Sequence, residues 1–267
     1  MKMTKELFAA RACSKIWKVI EASPWLTKLE KNASGLWGYS RLLIHPYVQL
    51  DRGFVFIHVP KTAGSSISEA LGLDASSTRE LHRPARDVLP FLKIVAPDII
   101  SVAFVRNPYE RFVSLYNFAR EAESLYHSVK NPESAKFGKH ADYDMLIDKN
   151  LEECAELLVE GKLGDRTVRL RTWHPQIDWL VDRDGKIMVD FIGHVETLEA
   201  DLQKLSKLHG IAINPVPWKN KSGAQEAHLQ LTERACELIR LYYKRDFEIL
   251  GYDENVPSAL VKVHSAA

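Results

Sequence analysis

The chain is short of the features that classify a sequence at a glance. Only three of its 267 residues are cysteine, Cys13, Cys154 and Cys236. An odd number at wide spacing makes neither a disulfide framework nor a metal-ligand pattern, so reduced thiols are expected. No window comes near the roughly 20 consecutive apolar residues that a membrane-spanning helix needs. Arg11, Lys15 and Lys18 interrupt the stretch from Leu7 to Ile20. Neither a cleavable leader nor an anchor is expected there, and the default location is the cytoplasm. An excess of one charge is also missing. Lys and Arg number 36 against 35 Asp and Glu, a formal net charge of +1. That balance excludes a general polyanion binder, so no nucleic-acid partner is expected and any anion site must be local. There is no internal repeat and no low-complexity tract.

What is present is an ordinary globular composition, 46% hydrophobic and 27% charged, long enough for one sizeable core. Residues 1–50 read as a helical extension and lead-in, 51–255 as the working domain and 256–267 as a frayed tail. Phe54 to Val59 is an apolar, aromatic and β-branched run, the composition of a buried strand, and Pro60 stops it. Lys61-Thr-Ala-Gly64 makes a tight turn with one cation and one conformationally free residue. Ser65 or Ser66 then caps a helix carrying Ile67, Ala70 and Leu71. Strand, Gly turn and helix start together form a recipe for gripping a phosphate.

A second junction follows. Ile99 to Val105 is another continuous apolar run, ending at Arg106-Asn107-Pro108, with Asn107 placed to cap and Pro108 suited to a first helical position. Further helices are predicted over 87–95, 143–161, 197–208 and 229–250, and a strand over 186–193. Residues 121–142 and 162–173 read as loops. Alternating strands and helices predict an α/β, P-loop-like layered fold with a central, mainly parallel sheet. In such sheets ligands gather at the strands' C-terminal edge.

A nucleoside-triphosphate loop places its lysine after the glycines, as G-x-x-x-x-G-K-[ST]. Here Lys61 precedes a single glycine. A nucleotide kinase or another P-loop phosphotransferase is therefore the weaker alternative, beside a non-catalytic nucleotide-binding protein. Pro60-Lys-Thr-Ala-Gly-Ser-Ser66 and Phe104-Val-Arg-Asn-Pro-Tyr-Glu-Arg-Phe-Val-Ser-Leu-Tyr116 resemble the two nucleotide-binding motifs of PAPS-dependent sulfotransferases. The closer similarity is to the carbohydrate branch, which includes heparan 2-O and chondroitin enzymes and bacterial relatives. Gln176, Asp190-Phe-Ile-Gly-His-Val-Glu196, Asn220-Lys-Ser222 and Asp246-Phe-Glu-Ile-Leu-Gly-Tyr252 follow in the same order as in such proteins, so the likeness spans about residues 52–253.

The resemblance implies transfer of a sulfuryl group from 3′-phosphoadenosine 5′-phosphosulfate (PAPS) to an acceptor hydroxyl, leaving 3′-phosphoadenosine 5′-phosphate. The acceptor would be a small molecule or glycan, and no metal would be needed. Thr62, Ala63, Gly64, Ser65 and Ser66 would hold the 5′-phosphosulfate, with Lys61 at the bridging oxygen. Arg106 and Ser114 would take the 3′-phosphate, while Arg111 braces the loop. His82 stands where the carbohydrate branch carries its base, although Pro84-Ala85 replaces the Thr-Ala pair that many relatives have after it. Asn220, Lys221 and Ser222 resemble a loop closing over the nucleotide, and equally read as a solvated turn. His58, Arg86, Trp173, His174 and Gln176 are the candidates for lining the acceptor site. The oligomeric state is not legible.

Overall fold

The computed structural model describes residue 43 and residues 45–73, 82–121, 140–164, 172–216 and 230–255. The predicted features at 4–21, Cys13, Asn220–Ser222 and the tail after 255 lie outside them. So does most of both predicted loops. Among the described residues, no helix is long and apolar enough to cross a membrane.

Two compact units emerge, each assembled from separate stretches of chain. The first draws on residues 1–59, 63–104 and 179–217. It holds a four-stranded sheet in the order β1 (Val48–Gln49), β2 (Phe54–Ile57), β3 (Ile100–Val105) and β4 (Phe191–His194), whose final β3 residue belongs to the other unit. β1 runs antiparallel to β2, whereas β2 and β3 are parallel, with Phe54 opposite Ile100 and Ile57 opposite Ala103. The predicted α/β layering with a mainly parallel sheet is thus present. Phe54 and Phe56 of β2, with Val102 and Phe104 of β3, share a core with Ile67, Ala70 and Leu71 of α1 (Gly64–Ala70) and with Leu202 and Leu205 of α6 (Leu198–His209). Every residue of β2 is buried, which is why both apolar runs were continuous and not alternating.

β4 begins later than its sequence suggests. The predicted strand starts at Lys186, but that residue closes a turn in which the Asp182 carboxylate accepts from the Asp184 and Lys186 N–H groups at 2.9 Å each. Ile187 makes only an isolated bridge to Val181. Asp190 then sets β4 beside β3. Its carboxylate accepts from Ser101 N (2.8 Å) and Ser101 Oγ (2.6 Å), and its own N–H donates to Ser101 O (3.1 Å). Burial alone would raise this carboxyl's pKa, yet the Ser101 and Lys93 hydrogen bonds bring it below the usual range. Lys93, on α2 (Ala85–Val95), also donates to Ile99 O.

The second unit draws on residues 60–62, 105–178 and 218–267, and its described elements are helical. α3 (Pro108–Ala119) starts as predicted, with Asn107 Oδ1 accepting from Tyr109 N at 3.0 Å and Pro108 in the first turn. The single helix expected over 143–161 is two, α4 (Tyr143–Leu146) and α5 (Leu151–Val159). Asn150 divides them by forming a capping box with Glu153, at 3.0 and 2.9 Å. The long helix expected over 229–250 is likewise α7 (Glu233–Tyr242) and α8 (Lys244–Leu250), broken at the fully buried Tyr243. Tyr243 donates its hydroxyl to Trp173 O at 2.9 Å. Phe112, Leu115, Tyr116, Cys154, Leu158, Leu238, Ile239 and Tyr243 form this unit's core. Cys154 and Cys236 are free and buried within it, and burial pushes both thiols up. They are packing residues.

Candidate active site

The turn after β2 is strained where the sequence does not advertise it. Lys61 (φ 66°) and Ala63 (φ 56°) occupy the left-handed region, at about 1–2 kcal/mol each for residues bearing a Cβ. Gly64, the residue expected to supply that freedom, has no positive φ. It is small for a different reason. A Cβ on Gly64 would lie 1.7 Å from His58 Nε2, so the histidine ring is packed directly on the backbone. The expected serine cap is also absent: Ala63 is the N-cap, no side chain caps the helix, and Ser65 and Ser66 fall inside α1. With a left-handed residue already closing the turn, the helix starts one residue too early for either serine to reach back. Thr62 is fully buried and Ser66 nearly so.

His58 and His82 belong to the first unit. His58 is buried, stacks on Phe56 at 5.5 Å and lies 3.5 Å from the Tyr47 hydroxyl. His82 is exposed, and its ring centroid is 4.5 Å from that of His58. His82 Nδ1 is 3.3 Å from the His58 carbonyl oxygen. A carbonyl can only accept, so Nδ1 carries the proton and Nε2 is the nitrogen able to act as a base. The ring of Trp179 is 6.1 Å from that of His82, and its buried indole N–H has no hydrogen-bond partner among the described residues. Arg86 is half-buried in the first turn of α2.

The remaining candidates sit in the second unit. Arg106 pairs with Glu110 through Nε at 3.2 Å. Its backbone is held on both sides by one side chain: Arg106 N donates to Gln176 Oε1 (2.8 Å), and Gln176 Nε2 donates to Arg106 O (2.7 Å). Gln176 thereby stands in for a neighbouring strand at the tip of β3. It is fully buried, so its amide braces Arg106 and does not face an acceptor. Asp246 completes the brace by accepting from Gln176 N (2.8 Å) and Ile177 N (2.9 Å). Burial raises its carboxyl to about 6, against the opposing pull of Arg111 and these backbone bonds. Ser114 is nearly buried on α3.

Arg111 takes the bracing part expected of it. It is buried, and it donates to Pro60 O (3.0 Å), His174 O (3.1 Å) and Thr172 O (2.7 Å). One guanidinium thus ties the Lys61 turn to the 172–174 segment using carbonyls alone. Trp173, expected to face an acceptor, is buried and donates its indole N–H to Asp142 Oδ2 at 2.8 Å. His174 is half-buried near Asp178, at 3.9 Å.

The sequence places Asp246 at the head of a family-like segment without a role, and no role was expected of Trp179, Phe118 or His140. Lys61 Nζ lies 4.0 Å above the centre of the Phe118 ring. His140 contacts the same ring at 6.1 Å, nearly edge-on. Phe118 carried a legible signal, since it continues the apolar positions of α3. His140 carried none, being one histidine of ten in a polar stretch.

Comparison with known proteins adds one match. No curated protein and no solved structure resembles the chain at a significant level. The family model described as "Sulfotransferase family" matches residues 45–253, a span that contains the Lys61 turn, the braced Arg106 tip and the Asp246 buttress. The chain belongs to the sulfotransferase family.

Proposed function

We propose that this sulfotransferase takes its sulfuryl group from PAPS and delivers it to a hydroxyl of a carbohydrate. The observation that carries the reading is the Pro60–Ser66 turn. Two side-chain-bearing residues accept a left-handed backbone there, strain that persists in functional turns because it aims N–H groups at an anion. Lys61 to Ser66 would bind the 5′-phosphosulfate. Arg106, with its backbone fixed by Gln176, and Ser114 would bind the 3′-phosphate through charge-assisted hydrogen bonds. Asn220, Lys221 and Ser222, which lie outside the described residues, would add further contacts to the nucleotide.

The step balances simply. The acceptor oxygen forms a bond to sulfur as the bond from sulfur to the bridging phosphate oxygen breaks. His82 Nε2 takes the acceptor's proton, and Lys61 neutralises the charge growing on the leaving oxygen. His58, Arg86 and His174 remain the candidates for touching the acceptor, because Trp173 and Gln176 use their polar groups inside the protein.

Thermal-shift titration tests the donor. Stabilisation by 3′-phosphoadenosine 5′-phosphate, and none by ATP with magnesium, is expected; the reverse pattern would favour the phosphotransferase alternative. Binding without transfer to any acceptor would leave a nucleotide-binding protein.

A further inference from the structure

The Lys61 side chain has a definite resting place. Its ammonium lies 4.0 Å over the face of Phe118, the geometry in which a ring quadrupole attracts a cation. Phe118 sits in the last turn of α3 and is half-buried. The ring is in turn fenced by His140, whose own orientation is set by a chain of bonds. His140 Nδ1 accepts from the Asp142 N–H at 3.1 Å. Asp142 then accepts from Trp173 Nε1 (2.8 Å) and from Gly164 N (2.9 Å). The Nδ1 bond places the proton of neutral His140 on Nε2. Burial keeps the ring neutral, with Asp142 opposing and Lys61 reinforcing that effect. A neutral imidazole does not compete with the ammonium for the aromatic face. All these residues lie in one compact unit.

We propose that Phe118 is a positioning residue for Lys61. It holds the ammonium by its ring face, and His140 fixes the ring. The proposal rests on the assignment of Lys61 to sulfuryl transfer. It predicts that the aromatic ring, and not merely apolar volume, sets the turnover rate.

The test has two readouts on the full chain. Lysine labelled with 13C at the ε carbon reports ring currents by NMR, and Lys61→Arg identifies the Lys61 signal. In the unsubstituted protein its ε protons should be displaced upfield. Phe118→Leu should abolish the displacement and Phe118→Tyr should keep it. With PAPS, Phe118→Leu should lower kcat by about 2- to 30-fold, the range of one cation–π contact. KM for PAPS should change little, and Phe118→Tyr should restore the rate. Phe118→Met takes the place of Leu if the latter lowers the melting temperature by more than a few degrees. An undisplaced Lys61 signal overturns the contact whatever the activity. A displaced signal that Leu removes without slowing turnover overturns the positioning role. Absence of transfer by the unsubstituted protein overturns the sulfuryl-transfer reading, and the positioning role with it, while the NMR result stands apart.

Discussion

Gly64 meets the His58 ring so closely that a single methyl group cannot be added without moving one of them. Gly64→Ala should therefore destabilise by about 1–3 kcal/mol, the usual cost of overpacking, read as a fall in melting temperature. Because His58→Ala vacates the space but has a cost of its own, Gly64→Ala should cost less in a His58→Ala background than in the unsubstituted chain. An equal cost in both backgrounds would mean that the close approach is not the reason for the glycine. Lys61→Ala should lower kcat sharply while binding of 3′-phosphoadenosine 5′-phosphate survives, since the turn's N–H groups remain. The sequence made the turn's position and its cation legible, because Pro60, Gly64 and two apolar runs frame it. It did not reveal which residues bend. Left-handed backbone at Lys61 and Ala63 has no signature in those residue types, and Gly64 looked like the flexible member. Close packing between His58 and Gly64 depends on a β2 side chain and on the path of the chain through the turn, neither of which residue types fix.

Among the elements, the strand-to-helix junctions were the most readable parts. Continuous apolar runs and the Asn107-Pro108 start are local signals, and local bonds decide them. The breaks at Asn150 and Tyr243 differ in this respect. Asn150 with Glu153 is a capping box visible in the sequence, so α4 and α5 were separable. Tyr243 is a tolerable helix residue whose conformation follows from its burial and its bond to Trp173. The brace at the β3 tip was hidden in the same way, because Gln176 is 70 residues from Arg106. While keeping the backbone N–H of residue 176 on Asp246, Gln176→Leu removes the side-chain partners of the Arg106 N–H and C=O groups and the Gln176 Nε2 donor that lies 3.4 Å from Asp246 Oδ2. It should cost about 2–4 kcal/mol of stability by leaving buried polar groups unpaired, measured by denaturant unfolding. It should also weaken affinity for 3′-phosphoadenosine 5′-phosphate while kcat at saturating donor holds. Unchanged affinity would mean that the brace does not serve the anion site.

For the molecule as a whole, pH is the informative variable, because a buried carboxylate stands at the centre of the brace. Asp246 titrates near 6 when folded and near the ordinary aspartate value when unfolded. Between about pH 4 and 6 the unfolded chain loses this proton while the folded chain keeps it, so stability falls as pH rises across that window. The size is on the order of 3 kcal/mol. Asp246→Asn removes this dependence. The variant should be less stable throughout, having lost an acceptor, but its deficit should shrink between pH 4 and 7. A deficit that stays constant or grows would contradict the assignment. The central claim has a more direct test, namely incubation of the purified chain with [35S]PAPS and a panel of glycan and small-molecule hydroxyl acceptors. Label is expected on an acceptor hydroxyl with release of 3′-phosphoadenosine 5′-phosphate, abolished in Lys61→Ala and strongly reduced in His82→Ala. Transfer that survives both substitutions, or a chain that moves phosphate from ATP and never sulfate from PAPS, would contradict it.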